Sequence, residues 1–94
     1  MKQLLWYLLA GTRGGPTRVR ILLVITHKPL NAHQIARQLK LDYKTVLHHL
    51  AILVDNNVLS VVKKGSYGAV YFLSDEAAKI LPELGGIGEQ FGKK

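Results

Sequence analysis

The strongest constraint on the fold is a pair of short helical patterns separated by only two residues. Asn31 and Asp42 each precede one pattern, and both residue types are preferred helix N-caps because their side-chain oxygens accept hydrogen bonds from the first turn. Lys40 and Leu41 leave room only for a tight connection. The sequence therefore predicts two consecutive short helices. Their apolar residues at helical spacing are Ile35, Ala36 and Leu39, then Val46, Leu50, Leu53 and Val54.

Two further helices are predicted before this pair. The segment Gln3–Ala10 is apolar on every side and ends at Gly11, which is typical of a helix covered on more than one face. A second helix begins near Pro16, because proline is tolerated in the first turn, and it ends before Pro29. Its predicted buried stripe consists of Val19, Leu22, Leu23 and either Ile25 or Thr26.

After the pair, the sequence changes to an extended pattern. The segments Val58–Lys63 and Ala69–Leu73 are rich in β-branched residues and predict a β-hairpin. Ser74 then caps a last helix that ends near Pro82. The predicted fold class is α+β and mostly α, with the order α-α-α-α-β-β-α and a two-stranded hairpin. We assign residues 1–84 to one domain, since 94 residues suit a single core, and residues 85–94 to a flexible glycine-rich tail.

The charge is unevenly distributed and bears on the partner. The net charge is +7, and no acidic residue precedes Asp42. Such a basic segment favours a polyanionic partner, with a merely solvated basic surface as the alternative. The chain has no cysteine, which excludes disulfides and thiolate metal sites and favours the cytoplasm. The early basic residues are Lys2, Arg13, Arg18, Arg20, Lys28, Arg37 and Lys40.

Catalysis, metal binding and membrane insertion find little support. The four histidines lack the spacing and acidic neighbours of a zinc site, and adjacent His48 and His49 point about 100° apart on a helix. The loop 11–17 is glycine-rich but lacks the ending of a phosphate loop. The apolar run Leu4–Ala10 is far shorter than a membrane-spanning helix. We therefore predict a protein that is not an enzyme and holds no cofactor or metal.

The stretch 31–59 resembles the helix-turn-helix of winged-helix transcription regulators, and residues 4–81 are similar to the ArsR-like group. The chain departs from the group's pattern at Leu47, where a serine is usual, and at Asn57, where glycine is usual. The cysteine motif through which some relatives sense metal is absent, so metal sensing is not implied. The resemblance is carried by Asp42, Thr45-Val46, His48-His49-Leu50, Leu53, Asn57 and Val58-Leu59.

The resemblance implies that the helix after Asp42 is a recognition helix in the major groove of DNA. A recognition helix needs an apolar face on the body of the protein and hydrogen-bonding groups near its N-terminus. Lys44, Thr45 and His48 meet this need, and Tyr43 can donate to the DNA backbone. His49 is either a further contact or a hydrogen-bonding residue within the fold. We assign phosphate contacts to Gln34, Arg37 and Lys40, and wing contacts to Lys63, Lys64, Ser66 and Tyr67.

An all-apolar first helix also predicts a second subunit. One small core covers only one face of it, so the other face is expected to pack on a partner chain, unless the helix is wrapped inside the monomer. A homodimer would place two recognition helices about one DNA turn, roughly 34 Å, apart. The residues assigned to this interface are Leu5, Trp6, Leu8 and Leu9 in the first helix and Ile80 and Leu81 in the last.

The predicted function is sequence-specific binding of double-stranded DNA by a homodimeric transcription regulator, most simply a repressor. The main alternative is a winged-helix module that binds protein, for which the apolar Leu47 and Ile52 are the only argument in the recognition helix. RNA binding is weaker, because the hairpin lacks a paired aromatic platform. The sequence specifies neither an operator nor a small-molecule effector.

Overall fold

The computed structural model describes residues 1–63 and 68–84. The predicted tail, residues 85–94, lies outside the described residues, so the domain boundary stays a prediction. The predicted class, mostly helical with a small antiparallel sheet, is confirmed. The elements are α1 (Lys2–Ala10), α2 (Gly15–His27), β1 (Leu30–Asn31), α3 (Ala32–Leu39), α4 (Tyr43–Asp55), β2 (Leu59–Val62), β3 (Val70–Leu73), α5 (Asp75–Ile80) and a 3-10 turn (Leu81–Leu84).

The predicted helix caps are present as hydrogen bonds. Asn31 Oδ1 accepts from the backbone N–H of Gln34 at 2.8 Å, and Gln34 Oε1 accepts from that of Asn31 at 2.9 Å, which forms a reciprocal capping box. Asp42 Oδ2 accepts from the backbone of Thr45 at 3.2 Å. Ser74 Oγ caps α5 at 3.1 Å. These local contacts define where α3, α4 and α5 begin.

The sheet has one strand that the sequence did not predict. In the order β1-β3-β2, β3 is central and pairs antiparallel with both neighbours. β1 is only two residues long, with Leu30 opposite Tyr71 and Asn31 opposite Val70. So short a strand carries no alternating pattern, and its partner lies far along the chain. The extra strand joins the start of α3 to the first half of β3, next to the hairpin turn.

The buried face of α2 differs from the predicted stripe. Val19, Leu22 and Ile25 are buried as predicted, but Leu23 is 44 % exposed and Thr26 is also exposed. Ile21 is fully buried instead. The reason is that α2 packs against α1, α3 and β3. Its buried residues therefore surround more of the helix than the single stripe that the spacing predicted.

The residues of α1 assigned to a subunit interface are mostly inside the chain's own core. Leu5 is fully buried, and Leu8 and Leu9 are buried as well, since α1 packs against α2. These three side chains are unavailable to a partner, so that part of the prediction is wrong. Trp6 remains 52 % exposed and Tyr7 57 % exposed.

Candidate nucleic-acid interface

Helix α4 presents a polar, basic face on an apolar support. Its 13 residues extend over about 20 Å. Lys44, Thr45 and His48 are exposed near its N-terminus, and we call these three residues the contact face. On the opposite side, the apolar residues at i, i+4 and i+7 are fully buried. The predicted orientation of the contact face is therefore the one that the structure has. The buried residues are Val46, Leu50 and Leu53.

Tyr43, at the first position of α4, is half-buried. Its ring stacks on that of His33, with the centroids 4.1 Å apart and the planes 7° from parallel. Stacked rings of this geometry stabilise the contact between two elements, so Tyr43 fixes the start of α4 on α3. Its predicted donation to a DNA phosphate stays a prediction.

His49 lies inside the fold, and its assignment as a DNA contact is wrong. Its side chain is only 8 % exposed. Position 49 follows Val46 by three residues and precedes Leu53 by four, which places it on the buried face of the helix. The alternative prediction, a hydrogen bond within the fold, describes what is observed.

The partner of His49 is a buried arginine. Arg18, on α2, is only 5 % exposed, and its Nη1 lies 3.1 Å from His49 Nδ1. Arg18 Nε donates to the backbone oxygen of Leu8 at 3.0 Å, and Nη2 donates to Thr12 Oγ1. The Thr12 hydroxyl in turn donates to the same Leu8 oxygen at 3.2 Å. We call Leu8 O, Thr12, Arg18 and His49 the buried polar network.

Burial in this network affects both ionisable groups. Burial lowers the pKa of Arg18, with Tyr7 acting in the opposite direction. Burial likewise lowers the pKa of His49, and the positive charges of Arg18 and of protonated His48 add to the effect. Arg18 was counted in the predicted basic surface, but a side chain enclosed in this way contributes no exposed cation there.

Helix α3 and the turn after it supply other exposed polar groups. Gln34, Arg37 and Lys40 are all exposed, and Gln34 Oε1 also serves the capping box. Lys40 has a left-handed backbone, with φ of 57°. Arg20 Nη2 donates to Leu39 O at 2.9 Å, which ties α2 to the end of α3. Sequence reasoning did not identify Arg20 as a positioning residue, because nothing local shows which carbonyl it reaches.

The wing is described only at its root. Lys63 is exposed and adopts a left-handed backbone with φ of 62°. Lys64, Ser66 and Tyr67, which were assigned to the wing contact, lie outside the described residues. The wing contacts therefore stay predictions.

Residues 1–63 and 68–84 contain neither a cluster of metal ligands nor a membrane-spanning helix. No three histidine or acidic side chains in these ranges are grouped so that they could hold a metal ion. No helix in them is long and apolar enough to cross a bilayer.

Three solved structures of other proteins have folds similar to that of this chain, at 19–22 % sequence identity. HlyU from Vibrio cholerae N16961, in its reduced form, has 22 % identity and a TM-score of 0.69 over 88 % of this chain and 83 % of its own. A protein of unknown function from Listeria innocua Clip11262 has 22 % identity and a TM-score of 0.70 over 98 % and 66 %. The PcaV transcriptional regulator from Streptomyces coelicolor, in complex with its natural ligand, has 19 % identity and a TM-score of 0.69 over 96 % and 66 %.

The chain thus spans about two thirds of the length of the last two proteins. At these identities the structural likeness establishes the fold, which is that of the winged-helix regulators. Among curated protein sequences, no match is found.

The sequence itself matches the family described as bacterial regulatory protein, arsR family, over residues 15–61. This match runs from the start of α2 into β2 and includes the whole of α3 and α4, and it covers half of the chain. The chain belongs to the ArsR family of bacterial regulatory proteins, whose members are winged-helix DNA-binding transcription regulators and not enzymes.

Proposed function

We propose that this protein binds specific sites on double-stranded DNA as a homodimer and represses transcription. The observation that carries the proposal is the contact face. Lys44, Thr45 and His48 project from a helix whose other side is anchored in the core. In this proposal, a dimer bound at a promoter represses by blocking polymerase, and the alternative is that it recruits polymerase.

The chemistry of the contact face suits the edges of base pairs. A lysine ammonium donates to guanine O6 and N7, a threonine contacts a thymine methyl or donates to phosphate, and a histidine donates to a base acceptor. In our proposal Lys44 and His48 read bases, and Thr45 reads a base or a phosphate. Phosphate contacts on either side position the helix but carry no sequence information. The residues that we assign to phosphates are Gln34, Arg37, Lys40, Tyr43 and Lys63, with Lys64, Ser66 and Tyr67 of the wing.

The dimer is supported by exposed apolar side chains on α1. Leu4, Trp6 and Tyr7 are large, apolar or aromatic, and exposed, and Leu23 of α2 is exposed as well. Exposed apolar groups in a contiguous patch favour burial against another surface. We assign the subunit contact to Leu4, Trp6 and Tyr7 of α1, together with the half-buried Ile80 and Leu81 near the end of the domain.

Protein binding through α4 is less well supported than DNA binding. Leu47 and Ile52, the apolar residues that favoured it, are partly buried and pack against the core. The exposed part of the helix N-terminus is therefore mainly polar and basic, which suits a polyanion better than an apolar partner.

A salt titration of a selected duplex tests the proposal. The full chain is used to select binding sites from a randomised duplex library of about 30 base pairs, enough for two half-sites. The logarithm of the binding constant for the selected duplex is then measured against the logarithm of the salt concentration. We expect a slope of about −4 or steeper, because each neutralised phosphate contributes about −0.9.

Two matched charge deletions locate the interface. Arg37→Gln is expected to reduce the magnitude of the slope by about 1 for each subunit. Lys79→Gln removes the same charge from an exposed site on α5, and should leave the slope unchanged. A slope near zero for the unmodified chain, or failure to select any duplex, contradicts the proposed function.

A further inference from the structure

The buried polar network joins three elements beneath the contact face. Leu8 O is among the last carbonyls of α1, which lack partners within the helix. Arg18 of α2 supplies a donor to it and, on the same guanidinium, a donor to His49 of α4. The recognition helix is thereby tied through one side chain to the end of α1.

Stability alone is a poor explanation for this arrangement. A guanidinium loses much of its hydration on burial, and the partners that Arg18 has in the network are a carbonyl, a hydroxyl and an imidazole, all without negative charge. Replacing buried ionic groups by apolar residues of similar volume is often neutral or stabilising. The polar contacts instead define the relative orientation of α1, α2 and α4, because three hydrogen bonds from one planar group are geometrically restrictive.

The contact between Arg18 and His49 requires a neutral imidazole. Arginine is always protonated and can only donate, so His49 Nδ1 must accept, and the ring proton is then on Nε2. A second proton on Nδ1 would remove the acceptor and place two cations 3.1 Å apart. Among the described residues, the charged groups that act on His49 are Arg18 and His48, both cationic when protonated, and neither supplies a compensating negative charge. Gly14, beside the ring, is neutral, and Tyr7 acts on Arg18.

The loop before α2 passes close to the Arg18–His49 pair. A Cβ built on Gly14 would lie 2.8 Å from both Arg18 Nη1 and His49 Cε1. The backbone of this loop therefore covers the pair directly. In our proposal, repulsion between the two charged side chains is relieved by a movement of α4 away from Arg18.

A movement of His49 would change the positions of side chains on the contact face. The rings of His48 and His49 are 5.3 Å apart in an edge-to-face arrangement, and His48 belongs to the contact face. The two residues are consecutive on one rigid helix, so a rotation of α4 that takes His49 away from Arg18 also turns His48 and Lys44.

We propose that the Arg18–His49 hydrogen bond is a positioning contact that holds α4 in its DNA-binding orientation, and that protonation of His49 releases it. Specific DNA binding is then lost in acid, while attraction to phosphate is retained or strengthened by protonation of exposed histidines. This inference rests on the proposed function, DNA binding through α4, and adds its regulation by pH.

The first test uses the free protein and needs no DNA. Nitrogen-15 NMR of the histidine rings in the full chain is expected to show His49 neutral, with its proton on Nε2, and to show it titrating below the ordinary histidine pKa of about 6.5. In Arg18→Met, which removes the cation but keeps an apolar side chain, the pKa of His49 should rise relative to that in the unmodified chain. A proton on Nδ1 at neutral pH, or titration of His49 at or above the ordinary histidine pKa of about 6.5, overturns the proposal.

The second test measures binding to the selected duplex between about pH 7.5 and about pH 5. Below the pKa of His49, the dissociation constant should rise about tenfold per pH unit for each subunit, and so about 100-fold for the proposed dimer, because only the neutral fraction is competent to bind. His49→Asn can still accept from Arg18 through Oδ1 but cannot titrate, so it should bind with little loss at neutral pH and keep its affinity in acid. His27→Gln removes an exposed histidine outside the network and should behave as the unmodified chain.

The outcomes separate the two proposals. An unmodified chain that binds no duplex at neutral pH contradicts the proposed function, while the ring NMR still reports on the hydrogen bond. Tight binding at neutral pH with no loss in acid, or the same loss in His49→Asn as in the unmodified chain, overturns only the positioning role. If His49→Asn does not fold, Arg18→Met decides the matter: it lacks the hydrogen bond at every pH, so it should already bind the selected duplex weakly at neutral pH, and neutral-pH binding equal to that of the unmodified chain overturns the positioning role.

Discussion

His48 and His49 are adjacent in the sequence but differ in solvent exposure and in their partners within the fold. His48 is exposed on the contact face, whereas His49 is buried and hydrogen-bonded to Arg18. The difference follows from the helical turn, since a rotation of about 100° per residue separates a solvent-facing position from a core-facing one. The same residue type therefore has different expected roles, one in contacting DNA and one in positioning the helix.

At the contact face, Lys44→Ala and His48→Ala should weaken binding to the selected duplex more than binding to random duplex. Each removes a group that we assign to a base edge, which is worth about 1–3 kcal/mol of discrimination. Competition binding with the two duplexes measures the ratio, and Lys79→Ala on α5 serves as the control. Equal losses on both duplexes would show that these residues contact only phosphates.

At His49, the lowered pKa predicts a pH dependence of stability. Between the pKa of His49 in the folded chain and its higher value in the unfolded chain, the unfolded chain binds more protons, so the free energy of unfolding rises with pH. The contribution is complete above the ordinary histidine pKa of about 6.5 and is lost as the pH falls toward the folded value. Its slope is at most about 1.4 kcal/mol per pH unit.

Urea unfolding of the unmodified chain and of His49→Asn over this pH range isolates that contribution. The variant should show a shallower dependence, because residue 49 no longer titrates. Identical slopes for the two proteins would contradict the assignment of a neutral buried imidazole.

Among the elements, α1 and α2 meet at a point where only glycine fits. Gly15, the first residue of α2, is buried, and a Cβ on it would lie 2.2 Å from the backbone oxygen of Leu9 in α1. Since the obstacle is backbone and not the end of a flexible side chain, the two helices would have to move apart. This close approach places Arg18 within reach of Leu8 O.

Gly15→Ala is accordingly expected to lower the free energy of unfolding by about 2–3 kcal/mol, as overpacking of a tight contact does. Gly68→Ala is the matched control, because a Cβ there has nothing within 4 Å. Chemical denaturation of both variants measures the difference. A Gly15→Ala protein as stable as the Gly68→Ala protein would contradict this packing of α1 on α2.

Over the whole molecule, the exposed apolar side chains and the contact face belong to different helices. Trp6 and its exposed neighbours are on α1, and the contact face is on α4. One surface is therefore free to bind a second subunit while the other binds DNA. The buried polar network lies between the two helices that carry them.

Trp6→Ser should convert the proposed dimer into a monomer with little change in the stability of the fold, because the indole is half exposed within one chain. Affinity for the selected duplex should fall by about 100-fold, since two linked half-sites gain that much or more from being joined. Light scattering after size exclusion and a duplex titration measure both effects. Val62→Ser, at another exposed apolar residue, is the control and should stay dimeric. A Trp6→Ser protein that remains a dimer would show that the contact lies elsewhere.

Features that depend on neighbouring residues could be read from the sequence. The caps at Asn31, Asp42 and Ser74 are where the residue types predicted them, because a cap joins groups only three residues apart. The apolar spacing of α4 likewise predicted which side of the helix is buried, including the outward direction of Lys44 and His48. The buried position of His49 was present in the same spacing but was obscured by its polar side chain.

Features that join distant parts of the chain required the tertiary structure. β1 exists only because β3 pairs with it, 40 residues along the chain, and Arg18 is buried only because α1, α2 and α4 converge around it, His49 being 31 residues away. The burial of Leu5, Leu8 and Leu9 also depends on where α2 lies. Helical periodicity and capping are local properties of the chain, whereas burial of a long side chain is decided by which surfaces meet, and no single segment contains that information.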